Sequence, residues 1–153
     1  MTTSEFWKQY LKDTNQKEDE AVYSGELVFE DDGMTGQTQL SMVLSGAKTA
    51  MFTPLDTIEI NMEKMPSVGE VYVVLDSNDE PRCVIELTDV RIIPLDEISW
   101  ELAQKDGEDE NMDDWQAKME EFLEEEADLC GFEPLPDSKI VCEIFKLVYN
   151  KRP

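Results

Sequence analysis

The sequence predicts an α+β fold, in which helices flank an antiparallel or mixed β-sheet. A strand at 68–75 is followed by turn residues at 77–80 and by alternating apolar residues at 82–93, which together indicate a β-hairpin. Apolar residues at helical spacing across 112–130 indicate a long helix. The chain has 153 residues, of which 41% are hydrophobic, and this is typical of one folded domain.

The first twenty residues are predicted to form a helix and a polar link. The helix spans 4–13 and begins at Ser4, whose hydroxyl is suited to cap it, and the link spans 14–20. We expect residues 1–20 to pack on a single domain formed by 21–153. The apolar stripe of this helix consists of Phe6, Trp7, Tyr10 and Leu11.

The next part of the chain is predicted to alternate short elements with turns. A short strand at 27–29 precedes a turn-rich segment at 31–36. A helix at 38–45 follows and ends at Gly46, because glycine readily adopts the left-handed conformation that closes a helix. Residues 54–66 have a proline at each end and are predicted to be loop-like.

The last third of the chain is predicted to contain two helices and a strand. A short helix at 96–104 and a loop at 107–109 follow the hairpin. The long helix at 112–130 ends at Gly131, and a final strand spans 139–149. The buried face of the long helix is predicted to consist of Met112, Trp115, Met119, Phe122, Leu123 and Leu129.

The charge of the chain and its lack of histidine exclude several chemistries. The chain has 13 Lys and Arg against 36 Asp and Glu, a formal charge of −23 that disfavours binding to long duplex nucleic acid. Residues 101–130 contain 13 of the acids and 2 of the bases. Without histidine, the chain has no His-based zinc site, Ser-His-Asp triad or Cys-His dyad. A general base would be a carboxylate, a lysine or a thiolate.

Cysteine usage and hydropathy indicate a cytoplasmic protein. The three cysteines, Cys83, Cys130 and Cys142, are an odd number without a CxxC pair, which favours reduced thiols. The sequence lacks an apolar run of about 18 residues, so we expect no membrane association. Its first residues lack the basic and apolar regions of a signal peptide.

The turn after Gly46 holds the first candidate for ligand binding. Lys48 and Thr49 follow this glycine at the start of a predicted strand, so one ammonium group and one hydroxyl project from a rigid junction. A lysine in this position can bind a phosphate or carbonyl oxygen, or it can simply interact with the helix dipole. Thr49 and Thr53 either contribute hydroxyls to a ligand or are ordinary strand residues.

Several segments in fixed order carry a family resemblance. They lie at 45–50, 68–76, 81–86, 94–97 and 141–145, and they include a Gly-x-Lys-Thr turn and a Val-Cys-Glu-x-Phe ending. The chain resembles the ASCH domain family over roughly residues 24–149, in particular a bacterial branch once catalogued as a domain of unknown function. The resemblance implies a PUA-like β-barrel flanked by helices, which binds RNA or a nucleobase-like ligand in a cleft beside the Gly-x-Lys turn.

Some small members of the family resemble amidohydrolases that deacylate N4-acetylcytidine with a lysine, a threonine and a glutamate. By this resemblance the lysine corresponds to Lys48 and the glutamate to Asp106 or, alternatively, Glu108. The threonine position is occupied by Met51. One of the three roles is kept, one is carried by a shorter side chain and one is lost, which puts amide hydrolysis in doubt. Asp106 and Glu108 can instead orient a lysine, accept hydrogen bonds from an exocyclic amine or belong to a solvated acidic loop.

The last predicted strand contains two further candidates, Glu143 and Cys142. Glu143 would lie on an apolar face and need a partner. It either lines the cleft opposite Lys48 or is the counter-ion of a buried arginine, Arg82 or Arg91. Cys142 is interpreted as a buried apolar residue rather than a nucleophile, because a nucleophilic cysteine would need a base beside it.

Three functions from different classes are compatible with the sequence. The leading hypothesis is a binding module for an RNA segment, a nucleotide or a modified nucleobase, with no metal or other cofactor. The first alternative is an amidohydrolase with Lys48 as base, Thr49 or water as nucleophile and Asp106 as acid or orienting group. The second is an acidic protein-interaction domain. The predicted ligand-binding residues are Gly46, Lys48, Thr49, Phe52, Glu108 and Glu143, with a stacking plane from Tyr23, Phe29, Phe52 or Trp100.

Overall fold

The computed structural model of the chain describes residues 1–29 and 33–150, and for residues 33–37 it describes the backbone alone. The strands are β1 Gly25–Val28, β2 Ala50–Pro54, β3 Val71–Leu75, β4 Pro81–Pro94 and β5 Lys139–Asn150. Among the described residues they form one mixed sheet in the order β1-β3-β4-β5-β2. β1 pairs with β3 in parallel, whereas β3 with β4 and β2 with β5 are antiparallel. The predicted α+β class with a mixed sheet is confirmed.

Five helices precede or separate these strands in the described part of the chain. They are α1 Thr3–Asp13, α2 Gly33–Ser45, α3 Leu55–Ile60, α4 Trp100–Ala103 and α5 Met112–Cys130, with 3-10 turns at Leu95–Glu97 and Gln104–Asp106. None of the described helices combines the length and the apolar composition that crossing a bilayer requires.

The chain divides into two compact units, and the first comprises Met1–Ala47, Val68–Thr88 and Phe145–Pro153. In this unit the apolar side of α1 packs on β3 and β4, as its helical stripe predicts. Complete burial of one such apolar side chain stabilises a fold by about 1.5–3 kcal/mol. The core of the unit consists of Phe6, Tyr10, Leu11, Val71, Val73, Leu75 and Val84.

The second unit comprises Lys48–Ser67 and Asp89–Ile144. Its core lies between α5 and the inner face of the β2–β5 pair. Alternation along β2 sends Ala50, Phe52 and Pro54 into this core, while Met51 and Thr53 lie on the other face and are half-buried. The core consists of Ala50, Phe52, Leu95, Ile98, Leu102, Ala103, Trp115, Met119, Leu123, Ile140 and Cys142.

The start of α1 differs from the prediction, because Thr2 rather than Ser4 caps the helix. The Thr2 hydroxyl accepts a hydrogen bond from the Glu5 backbone N–H at 3.1 Å, and the Glu5 carboxylate accepts one from the Thr2 backbone N–H at 3.2 Å. This reciprocal pair is a capping box. It satisfies two backbone donors at once, whereas a cap at Ser4 would satisfy one.

Two segments predicted as turn or loop are helical in part. α2 begins at Gly33, whereas the prediction began the helix at 38; residues 31 and 32 of the predicted turn lie outside the described residues. The 54–66 segment contains α3, which starts directly after Pro54 and buries Thr57 and Ile58. A helix of this length is too short to show a clear apolar period. The proline directly before it favoured the prediction of a loop.

Two other segments are shorter than predicted. β3 begins at Val71 because Gly69 adopts a left-handed φ of 94°, which interrupts the extended chain before it. The helix predicted at 96–104 is broken at Ile98 and Ser99, whose backbone is extended. Ser99 then caps α4, since its hydroxyl accepts from the Leu102 N–H at 3.3 Å.

The long helix has its predicted bounds, but one residue of its predicted buried face is wrong. α5 is capped by Asn111 and ends at Gly131, which has a φ of 82°. Leu129 is 82% exposed, and the buried position near the end of the helix is Ala127. The buried residues follow a spacing of four, and Leu129 falls outside that stripe. They are Trp115, Met119, Leu123 and Ala127.

Candidate functional site

Lys48 is buried and ion-paired with Asp106. Its side chain projects from the turn after α2, where Gly46 adopts the left-handed φ of 86° that was predicted for it. Lys48 is 4% exposed, and its Nζ donates to the Asp106 carboxylate and also to the Asp106 main-chain carbonyl at 3.3 Å. The candidate lysine and the candidate carboxylate are therefore direct partners.

A backbone hydrogen bond fixes the two segments that carry this pair. The Thr49 N–H donates to the Lys105 carbonyl at 2.8 Å, next to the Lys48–Asp106 contact in both segments. Gly107, with a φ of 85°, closes the 3-10 turn that presents Asp106. The ion pair therefore rests on main-chain geometry rather than on two mobile side chains.

The Asp106 carboxylate accepts two further hydrogen bonds, both from α5. Trp115 Nε1 and Lys118 Nζ each donate to Asp106 Oδ2 at 3.1 Å. These two residues are three positions apart and lie on one face of the helix. The Trp115 ring is fully buried and packs edge-on against Phe52, with ring centroids 5.1 Å apart. α5 therefore orients the carboxylate that holds Lys48.

Lys118 lies among three carboxylates. Its Nζ is 3.1 Å from Asp106 Oδ2, 2.7 Å from Glu108 Oε2 and 2.6 Å from Asp109 Oδ2. The three carboxylates are close enough together to hold a metal ion, but here the cation between them is the Lys118 ammonium. We therefore interpret this group as an ion-pair network around Asp106.

The two lysines determine the charge state of Asp106. Burial raises the pKa of Asp106, but the ammonium groups of Lys48 and Lys118 outweigh burial and hold the pKa below its ordinary value. Burial lowers the pKa of Lys118, but Asp106, Asp109 and Glu108 outweigh it and raise the pKa above its ordinary value. At neutral pH, Asp106 is an ionised acceptor and Lys118 is a cation.

Met51 and Glu143 lie next to each other on the opposite face of β2 from Phe52. They are directly paired across β2 and β5, and residues opposite one another in an antiparallel pair project to the same side. Thr53 shares this face and pairs with the buried Val141. A role for Thr53 as a displaced nucleophile stays a prediction.

The arginines considered as counter-ions of Glu143 are not buried. The Arg82 side chain is 47% exposed and pairs with Asp76, and the Arg91 side chain is 54% exposed and pairs with Asp89. The role of Glu143 in ligand binding stays a prediction, as do the roles of Gly46 and Thr49.

Two of the four aromatic candidates for stacking are buried. Phe52 and Phe29 are each 8% exposed, and Phe52 belongs to the core of the second unit. Trp100 is half-buried against that core. Tyr23 is 47% exposed and contacts Trp7. Phe52 therefore supports Trp115 in this structure and does not offer a free ring face.

Cys142 is a buried core residue, as interpreted from the sequence. Burial raises its pKa to about 12, and burial likewise raises the pKa of Cys83 to about 12. Both are thiols at neutral pH and therefore poor nucleophiles.

Sequence reasoning missed two residues of the site. Trp115 was assigned to core packing alone, and Lys118 was not singled out. A usable signal was present, because Lys118 is one of two basic residues in the acidic 101–130 segment and lies one helical turn after Trp115. A basic residue surrounded by acids, on the same helix face as a buried tryptophan, indicates a cation that pairs with a nearby carboxylate.

Comparison with known proteins gives one family and two similar crystal structures. The ASCH domain family model matches residues 25–149. An ASCH domain from Lactobacillus crispatus JV V101 has a TM-score of 0.86 and 26% identity, covering 96% of this chain and 94% of that chain. A DUF984 protein from Enterococcus faecalis V583 has a TM-score of 0.82 and 26% identity, covering 96% of this chain and 88% of that chain. No curated protein matches the sequence. The two likenesses support the predicted PUA-like α+β fold.

Proposed function

Because this chain belongs to the ASCH domain family, we propose that it is a binding domain for a nucleobase-containing ligand, held in a cleft at the Lys48 turn. The ligand is a single-stranded RNA segment, a nucleotide or a modified nucleobase. The observation that carries this proposal is the buried pairing of Lys48 with Asp106, supported by Trp115 and Lys118.

A buried ion pair is a poor device for stability alone. Removing two charges from water costs several kcal/mol for each ion, and well-packed apolar residues often stabilise a fold as well or better. The Lys48–Asp106 pair is nevertheless supported by two additional donors from α5. Two extra donors to the Asp106 carboxylate suit a site in which the Lys48 ammonium group is held at a fixed position to bind a ligand.

The geometry of Lys48 allows exchange with a ligand. Its bond to the Asp106 main-chain carbonyl is 3.3 Å, which is long for a charged donor. A carbonyl or phosphate oxygen of a ligand can replace this acceptor while the carboxylate contact remains. Asp106 would then act as the counter-ion that keeps the lysine in place.

Charge around the site favours a small ligand with both donor and acceptor groups. Glu108 and Asp109 share the Lys118 ammonium with Asp106, so the site is surrounded by carboxylates and would repel a long polyanion. A base edge that presents a carbonyl beside an exocyclic amine suits this arrangement, because lysine donates to the carbonyl and carboxylates accept from the amine. Cytosine and its derivatives have such an edge.

Amide hydrolysis is the second candidate, and Met51 is the observation against it. The family resemblance implies that Lys48 and Asp106 take the roles of the lysine and the acid, but the implied nucleophile position is Met51, which has no hydroxyl. Asp106 is ionised at neutral pH, so it would orient Lys48 rather than supply a proton. Hydrolysis would require Thr49 or a water molecule as the nucleophile. An acidic protein-interaction role does not require the Lys48–Asp106 pair at all.

The test is calorimetric titration of the protein with cytidine, N4-acetylcytidine, common nucleotides and short single-stranded RNAs. The Lys48→Met/Asp106→Asn double variant removes both charges and keeps similar side-chain volumes, so it separates binding from folding. We expect it to bind at least about tenfold more weakly, because one charged hydrogen bond is lost. Lys139→Ala, at an exposed lysine, is the control and should bind within about twofold of the wild type.

Equal binding by the wild type and the double variant, or no binding of any ligand, would refute the proposal. Acetate release from N4-acetylcytidine that the double variant lacks would establish the amidohydrolase alternative instead. Ligand binding without acetate release, weakened in the double variant, would support the proposal of a binding domain.

A further inference from the structure

An open groove lies between α5 and the segment that follows it, within the second unit. Its floor is formed by Leu95 and Leu123, both buried in the core, and its volume is about 310 Å³. One side carries Leu135, which is 47% exposed, between two prolines. Fixed φ angles at the prolines make this side rigid before any partner binds. The lining residues are Leu95, Glu120, Leu123, Glu124, Pro134, Leu135 and Pro136.

The other side of the groove carries two adjacent carboxylates of α5. Glu120 and Glu124 are both exposed and four positions apart, so they lie about 6 Å apart along one face of the helix. Within the part of the chain that the structure describes, neither has a hydrogen bond or an ion pair. Like charges at this spacing destabilise a helix. Because neither carboxylate has a partner in the described fold, this repulsion is not offset there.

The residues around the groove are also acidic. All are exposed, and they are sequence neighbours of the lining residues on α5, on the 3-10 turn that contains Leu95 and on the proline segment. They are Asp96, Glu97, Glu121, Glu125, Glu133 and Asp137. The groove therefore combines an apolar floor with a negative rim.

We propose that this groove docks a basic amphipathic helix of a partner protein. An apolar side chain of that helix packs on Leu95, Leu123 and Leu135. Lysine or arginine residues one turn apart on the helix pair with Glu120 and Glu124. The apolar floor gives affinity, and the two carboxylates fix the register and raise the association rate.

Charge complementarity selects this partner over other occupants. Nucleic acid and anionic lipid surfaces would be repelled by the same rim. A second copy of this chain would bring one acidic helix against another, since the chain carries −23. The inference does not depend on the Lys48 site, because the groove lining does not include Lys48 or Asp106.

The test uses a fluorescent peptide of leucine and lysine at amphipathic helical spacing, titrated with the full chain at physiological salt. Glu120→Lys/Glu124→Lys should weaken binding at least about tenfold, because two charged contacts become repulsive. Asp19→Lys/Glu20→Lys changes the net charge equally at an exposed segment outside the groove. This control should change binding by no more than about twofold.

Two further measurements test the apolar floor. Leu135→Ser should weaken peptide binding several-fold while the melting temperature stays near that of the wild type, since Leu135 is exposed. A peptide in which serine replaces leucine, at equal charge, should not bind. Equal losses for the two double variants would overturn the proposal, because the attraction would then come from the overall charge. Binding of the serine peptide as tightly as the leucine peptide would also overturn it.

Discussion

Lys48 and Asp106 are 58 positions apart in the chain, and the ammonium group of the first donates to both the carboxylate and the main-chain carbonyl of the second. The contact joins a turn after α2 to a 3-10 turn before α5. Trp115 and Lys118 donate to the same carboxylate, so the helix fixes the acid and the acid fixes the lysine. A ligand at Lys48 would therefore meet a preorganised cation.

Removal of one partner from this pair should be costly. Asp106→Asn leaves Lys48 buried without its counter-ion, and we expect the free energy of unfolding to fall by about 3–5 kcal/mol. Urea unfolding measures this change. Asp89→Asn, which breaks the exposed pair with Arg91, is the control and should cost less than about 1 kcal/mol. Equal costs for the two variants would contradict the account.

The pair should also show energetic coupling. Lys48→Met/Asp106→Asn should destabilise the protein by less than the sum of its two single variants, with an interaction energy of about 1–3 kcal/mol. The reason is that each single variant leaves one buried charge unpaired, whereas the double variant leaves none of the pair charged. Additive effects in urea unfolding would mean that the two charges do not interact.

Stability should depend on pH through Asp106. Its pKa is lower in the folded state than in the unfolded state, so its contribution is fully present above the unfolded value of about 3.9 and is lost as pH falls through the folded pKa. The stability difference between the wild type and Asp106→Asn should therefore shrink below about pH 4. Urea unfolding at several pH values, with the exposed Asp19→Asn as control, measures this. A difference that is constant with pH would contradict the prediction.

Alanine substitution at two left-handed glycines, Gly46 and Gly131, can distinguish an effect on stability from an effect on ligand binding. Gly46→Ala and Gly131→Ala should each cost about 1–2 kcal/mol, because both positions have positive φ and an added Cβ meets no atom within 4 Å. Only Gly46 precedes Lys48, so only Gly46→Ala should also weaken ligand binding. Unfolding and titration of both variants provide the comparison. Equal effects of the two variants on binding would mean that the turn at Gly46 is not part of the binding site.

Thiol reactivity should follow burial. Cys83 and Cys142 have pKa values raised to about 12, whereas Cys130 is partly exposed at the end of α5. Iodoacetamide at mildly alkaline pH should modify Cys130 first, and mass spectrometry of the digested protein identifies the position. Faster modification of Cys142 would indicate a nucleophile and would contradict its assignment to the core.

The sequence predicted those features that rest on long periodic patterns or on single residues with special backbone needs. The bounds of α5, the β4 strand and the left-handed turn at Gly46 are of this kind. α3 was missed because a helix of six residues directly after a proline has no visible period. Leu129 was misplaced because its position falls outside the stripe that Trp115 and Met119 begin.

The site was predictable only in part, because sequence patterns do not show which elements pack together. The turn after Gly46 suggested Lys48, the family resemblance suggested Asp106, and orientation of a lysine by Asp106 was one of the predicted alternatives. The contributions of Trp115 and Lys118 depend on how α5 packs across the 3-10 turn, which is a tertiary property. Phe52 was predicted as a possible stacking plane for a base, whereas alternation along β2 directs its side chain into the core.

The most direct test of the central claim is an NMR titration of the isotopically labelled protein with cytidine. We expect saturable shifts at the backbone amides of 46–49 and 105–108, and we expect none of them in Lys48→Met/Asp106→Asn under the same conditions. Saturable shifts confined to other regions, or identical shifts in the double variant, would contradict a nucleobase site at Lys48.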